Sequence, residues 1–144
     1  DIQLMTNKKQ YIKGDDVDIE LNFKNKKEVN YDFAADLRIF NPDNAVIFAT
    51  TTTLSLTPKG SASLSYNFSL SKDAIEGIYI IQAEAKSGGE RVGLSSGAFE
   101  VSQRSLSLQM LPFTLIPLST NTIKFEVKNT GIVDYRIRYN DFIL

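Results

Sequence analysis

The 144-residue chain carries 16 Lys and Arg against 17 Asp and Glu, a formal net charge of −1, with 42% hydrophobic and 23% charged residues. That balance suits a globular chain with a buried core, and it supplies no field to draw in nucleic acid or an anionic membrane. Cysteine, histidine and tryptophan are all absent, which excludes a thiol nucleophile, a Cys or His metal site and a Ser-His-Asp triad.

Apolar stretches such as Leu111 to Leu118 are broken by Pro112 and Pro117 and are too short to cross a bilayer. The opening DIQLMT reads directly as a strand, so no signal peptide is expected in this sequence, and both ends read as processing boundaries. The first predicted strand holds Ile2, Leu4 and Thr6. Gly14 turns the chain, and Val17, Ile19, Leu21 and Phe23 then alternate with Asp18, Glu20 and Asn22, a strand wet on one face. Lys24 to Glu28 reads as a solvated loop. A strand from Phe33 to Phe40 follows, with Leu37 and Ile39 inward and Asp36 and Arg38 outward.

Asn41-Pro-Asp-Asn44 is a turn by composition. It leads through Ala45–Ala49 to a threonine run, Thr50 to Thr53, rich in β-formers and placed at or near a sheet edge. Thr57-Pro-Lys-Gly60 turns back, and Ala62, Leu64, Tyr66, Phe68 and Leu70 alternate with serines and Asn67. Gly77–Lys86 is predicted to be the central strand. Tyr79, Ile81, Ala83 and Ala85 share one face, and Ile78 and Ile80 suggest burial on both faces at the start. Gly88-Gly89 signals a hairpin. The last strand of this unit begins near Arg91, breaks at the small residues Ser95-Ser-Gly97 and resumes with Phe99 and Val101. Seven or eight short strands at this spacing, with no sustained helical period, predict an all-β, two-sheet antiparallel sandwich.

Three segments carry a resemblance. Tyr11-Ile-Lys-Gly-Asp-Asp-Val17 resembles the Y-x-P-G-E-x-V opening of macroglobulin-type and related bacterial immunoglobulin-like domains, with Lys13 in place of proline. Ile39 to Val46 is similar to their V-x-x-P-x-G-x-x-V hairpin, with Asn44 in the glycine position. Phe68 to Tyr79 resembles F-x-L-P-x-D-A-x-x-G-x-Y, with Ser71 in place of proline. The resemblance implies an immunoglobulin-like β-sandwich over residues 1–103. These motifs are turn chemistry and core, so they imply architecture and no activity.

From residue 104 the pattern restarts as a second short β unit, 104–144. Ser105–Met110 alternates, Pro112 and Pro117 bracket a stiff crossing, and Ile123, Phe125 and Val127 face inward. A turn at Lys128–Gly131 precedes alternating Val133, Tyr135, Ile137 and Tyr139, then Asp141–Leu144. Phe125-Glu-Val-Lys-Asn-Thr-Gly131 resembles the opening hairpin of CARDB-type adhesion-related modules. So short a unit cannot bury enough surface to stand alone. It is either a partial second sandwich or strands added to the first. Its unfinished edge predicts pairing between copies, a homodimer through residues 105–144.

Candidate sites are sparse. Asp15, Asp16, Asp18 and Glu20 with Asp36 or Asp73 could supply oxygens to Ca²⁺, but acidic residues are expected at wet-face and turn positions without any metal. No spacing favours a carboxylate pair for glycoside hydrolysis. Asn67-Phe-Ser69 fits the N-glycosylation pattern in mid-strand. Tyr31, Phe33, Tyr135 and Tyr139 are candidates for a sugar-stacking platform. Tyr79 matches the tyrosine corner, a structural role. No residue is assigned a catalytic, metal or cofactor-binding part, and no cofactor is expected. The reading is a non-catalytic spacer or adhesion module of an extracellular or cell-surface multidomain protein, in contact with a protein partner or neighbouring domains. An accessory carbohydrate-binding module of a secreted enzyme is the alternative, and a fragment of a macroglobulin-like protease trap comes third. Loops 24–30, 41–45 and 86–91 are the expected interaction surfaces.

Overall fold

The computed structural model describes residues 1–102 and 106–129. Their elements are β1 (Ile2–Thr6), β2 (Gln10–Ile12), β3 (Asp16–Lys24), β4 (Tyr31–Phe40), β5 (Val46–Leu56), β6 (Ser61–Ser69), β7 (Gly77–Ser87), β8 (Glu90–Ser102), β9 (Leu106–Met110) and β10 (Phe125–Asn129). Among the described residues no helix is long and apolar enough to cross a membrane. The chain divides into two compact units, Asp1–Val101 and Ser102–Leu144.

Unit 1 is an all-β, immunoglobulin-like sandwich. One sheet has the order β1-β3-β6 and the other β2-β8-β7-β4-β5. The period-two pattern decides which side chains face the gap between them. On β3, Val17, Ile19, Leu21 and Phe23 are buried while Asp18 and Glu20 are exposed. On β7, Tyr79, Ile81, Ala83 and Ala85 are buried, each large one contributing about 1.5–3 kcal/mol through loss of water contact. Phe99 of β8 is the hub of an aromatic cluster. The Tyr11 ring of β2 meets it edge-on at 5.1 Å, and Tyr79 of β7 stacks on it at 5.2 Å, the two favoured ring geometries.

β7 occupies the middle of the larger sheet, between β8 and β4, and the threonine-rich β5 forms its edge, as the sequence predicts. Gly88 and Gly89 take φ of 60° and 84°, the left-handed geometry of a tight hairpin turn, and Ser87 pairs with Glu90 across it.

Two expectations are corrected. Ile78 and Ile80 are not buried on a second face: they are 51% and 42% exposed, because no described layer of unit 1 covers the outer side of this sheet. Nor does β8 break at Ser95-Ser-Gly97; it runs unbroken from Glu90 to Ser102. The small residues make room rather than end the strand. A Cβ on Gly97 would lie 2.8 Å from Leu4 Cδ2, and one on Gly93 would lie 3.0 Å from Ile2 Cδ1, so the bare backbone of β8 is where the β1 side chains settle.

In the second unit β9 and β10 pair antiparallel, Phe125 opposite Met110 and Asn129 opposite Leu106. The segment between them carries no strand. Asn121 closes a loop there: its Nδ2 donates to the carbonyls of Ile116 at 3.1 Å and Ser119 at 2.9 Å, and its Oδ1 accepts the Ile116 N–H at 2.8 Å. The strand expected over Val133–Tyr139, and the self-association expected through 105–144 in so far as it needs that strand, lie outside the described residues.

Candidate functional site

At one end of the sandwich, β3 runs into the loop that starts β4. Asn25 is 5% exposed there and its amide does the fastening. Its Nδ2 donates to Val29 O at 2.8 Å and Thr57 O at 2.9 Å, its Oδ1 accepts the Lys27 N–H at 2.9 Å, and its own N–H donates to Gly60 O at 2.9 Å. The loop 24–30 is thus tied to the β5–β6 turn. By composition Asn25 is one more residue of the solvated loop that begins at Lys24. The signal available was the asparagine itself, whose side chain bonds backbone two residues on.

Beneath that loop is a cavity of about 150 Å³, walled by Ile2, Phe23, Tyr31, Phe33, Leu56 and Ala85, with Lys24, Lys26 and Lys27 around its mouth. Lys27 Nζ stands 4.5 Å from the Tyr31 ring centre, a cation–π contact, and the Lys26 ammonium pairs with the Asp1 carboxylate. Tyr31 and Phe33 do not form an outward sugar platform: Phe33 is 7% exposed, Tyr31 is half-buried, and both belong to the cavity wall. Tyr135 and Tyr139 lie outside the described residues.

The outer face of the larger sheet combines a charged row with an apolar row. Lys86 Nζ lies 3.0 Å from Asp36 Oδ2 and 3.2 Å from Glu84 Oε2, and Arg91 Nε is 3.9 Å from Glu84 Oε1. The Thr51 hydroxyl on β5 donates to Asp36 Oδ1 at 2.6 Å. That hydroxyl and the Lys86 ammonium hold the Asp36 carboxyl below the usual range, and Asp36 and Glu84 in turn raise Lys86. Register places Ala98, Ile80 and Phe40 side by side, with Val46 beyond Phe40 and Ile78 adjacent. Val46 is 50% exposed and Ile47 38%.

The remaining predicted positions separate. Asp15 accepts the Ile12 N–H, Asp16 the Ser69 hydroxyl at 2.6 Å, and Asp18 the Asn67 and Asn7 amides at 2.8 and 3.0 Å. Asp36 stands on the other sheet. Among the described residues no three carboxylates gather as a metal site. The Asn67 amide that would carry a glycan is bonded to Asp18 in the middle of β6. Tyr79 is a tyrosine corner: its hydroxyl donates to Ile75 O at 2.8 Å, and burial pushes its pKa up.

No family model and no curated protein sequence matches the chain. Solved structures do. The CARDB domain of a Pyrococcus furiosus protein, in complex with di-metal ions, aligns with a TM-score of 0.57 at 17% identity, over 70% of this chain and 85% of that one. A Paenibacillus cycloisomaltooligosaccharide glucanotransferase aligns at 0.55 and 19% over 69% of this chain. The Pseudomonas fluorescens alkylpurine DNA glycosylase AlkC aligns at 0.54 and 15%, also over 69%. The chain spans 13% and 29% of the length of those two enzymes. At such identities the likeness is one of fold. A match over 70% of the chain is longer than residues 104–144, so this likeness of fold includes part of the first sandwich.

Proposed function

We propose that the chain is a non-catalytic immunoglobulin-like module of a larger protein outside the cytoplasm, on or near a cell surface, working as a spacer or in adhesion through contact with neighbouring domains or a protein partner. The observation that carries this reading is the outer face of the larger sheet. Exposed Ile78, Ile80, Val46 and Ile47 share this face with the Asp36–Lys86–Glu84–Arg91 row, with the Gln82–Arg38 pair between the two groups, and an apolar patch bordered by charge is the usual make-up of a protein contact surface. Within immunoglobulin-like sandwiches, the three turn motifs align unit 1 with macroglobulin-type domains, and the Phe125–Gly131 phrase aligns the second unit with the start of a CARDB-type module. The CARDB neighbour, itself a single domain matched over 85% of its length, supports a module of this kind.

The second reading, an accessory module of a carbohydrate-active enzyme, draws support from neighbours that are short portions of such enzymes, including a β-glucuronidase matched over 11% of its length and a Listeria innocua β-glucosidase over 16%. Affinity electrophoresis on a panel of soluble polysaccharides separates the two. The spacer reading expects unchanged mobility throughout, and retardation on any polysaccharide overturns it in favour of carbohydrate binding.

A further inference from the structure

Sheet edges normally carry a lysine, a proline or an inward charge that discourages pairing with other strands. β5 carries none of these. Val46–Leu56, VIFATTTTLSL, has no charged residue, proline or glycine over 11 residues, and among the described residues its one hydrogen-bonded neighbour is β4. Its centre is four successive β-branched threonines, residues that favour extended backbone. The bulge in the β4–β5 ladder is confined to the far end, opposite Val46–Phe48. The other long edge, β6, is also uncharged, but it is built of serine and asparagine whose side chains bond back to Asp16, Asp18 and Asn22 of β3.

We propose that β5 pairs antiparallel with β5 of a second copy of this chain, with Thr51 on the two-fold axis, joining the two larger sheets into one. In that register Thr50 lies opposite the second copy's Thr52, Ala49 opposite Thr53, and Phe48 opposite Leu54. Residues facing each other then share a face, as the pleat requires. Phe48 and Leu54, half-exposed at the margin of the core, become a cross-strand aromatic–aliphatic pair, twice over by symmetry. The ends match in charge as well. Asp43 sits in the turn that begins β5. Lys59 sits in the turn that follows it, against loop 24–30, which holds Lys24, Lys26 and Lys27 beside one glutamate: Lys59 N–H donates to Lys27 O, and Lys59 Nζ donates to Lys26 O and pairs with Glu28 at 2.7 Å. Antiparallel pairing brings the Asp43 end of one copy to the Lys59 end of the other.

The test is sedimentation equilibrium on the full chain across a wide concentration range, with Thr51→Lys, Thr53→Lys and the charge variants. Thr53 points to solvent on the outer face, so circular dichroism and thermal melting of Thr53→Lys are expected to match the parent; Thr51→Lys gives up the bond to Asp36 and is expected to keep the folded spectrum with a lower melting temperature. The parent is expected to shift from monomer to dimer mass as concentration rises. Thr51→Lys, which puts two lysines together on the axis, is expected to stay monomeric, and Thr53→Lys to do the same. Asp43→Lys and Lys59→Asp are each expected to weaken the dimer roughly two- to fivefold, and the double exchange to restore it. A parent that is monomeric at every concentration overturns the proposal. So does a dimer that persists in both lysine variants, which assigns association to another surface such as residues 105–144. A monomer whose β5 amides become protected only with a different protein present overturns it in favour of that occupant. None of these results bears on polysaccharide mobility, so the two tests fail independently.

Discussion

Replacing Asn25 with alanine tests how the open end of the sandwich is held. The side chain makes three bonds at 2.8 to 2.9 Å, two donated to Val29 O and Thr57 O and one accepted from Lys27 N–H. With each worth about 1 kcal/mol net, the substitution costs about 3 kcal/mol. A sandwich of this size has a total stability of about 5–15 kcal/mol, so the loss is a large part of it. Urea unfolding followed by tyrosine fluorescence measures it as a lower midpoint at constant slope. Asn25→Asp sharpens the argument. A carboxylate still accepts the Lys27 N–H but can donate nothing, so it faces the Val29 and Thr57 carbonyls with like-signed oxygens, and Asn25→Asp is expected to be at least as damaging as Asn25→Ala at pH 7. Those carbonyls raise the new carboxyl's folded pKa, so the penalty shrinks as pH falls and the carboxyl takes up a proton. A loss below about 1 kcal/mol for the alanine variant, the value of a single net bond, would falsify the idea that this amide is the fastener.

Three further outcomes are expected. Tyr79→Phe keeps the stack on Phe99 and loses the bond to Ile75 O, costing about 1 kcal/mol by the same denaturant measurement. Asp36 is held below the usual carboxyl range by Thr51 and Lys86. On acidification the unfolded chain therefore takes up this proton first, starting near pH 4, and stability falls as pH drops from there through the lower folded value. Asp36→Asn is expected to flatten that part of the stability–pH curve, and an unchanged acid limb would count against the assignment. Gly97→Ala puts a methyl 2.8 Å from Leu4 Cδ2, an overpacking cost of about 1–3 kcal/mol, and the cost should largely vanish when Leu4 is also alanine, read as a double-mutant coupling.

The alternation on β3 and β7 was legible because a strand with one wet face writes its burial into every second residue, and Val17–Phe23 and Tyr79–Ala85 do so. Ile78 and Ile80 were not legible, because apolar side chains on both faces look the same in sequence whether a second layer covers them or solvent does. Ser95-Ser-Gly97 misled because small residues signal either a break or a close approach, and only the position of Leu4 decides between them. Tyr31 and Phe33 share the parity of Leu37 and Ile39 along β4, and that parity turns them to the cavity wall rather than to a sugar platform. The fastening role of Asn25 depends on carbonyls from Val29 and Thr57 meeting at one point, which no local spacing records.

The seating of β1 on β8 sets how unit 1 would carry a mechanical load. Ile2 lies at Gly93 and Leu4 at Gly97, so β1 and β8 run in the same direction along the sandwich. Val101 then stands eight residues beyond Gly93, about 26 Å down an extended strand. Tension between the start of β1 and the end of β8 acts along the strands. The β1–β3 ladder, from Ile2 opposite Phe23 to Thr6 opposite Ile19, is strained as a block rather than opened one bond at a time. A unit strung this way resists stretching through the five pairs of that ladder, and β1, lodged in the space that two glycines leave open, is the first part to slide.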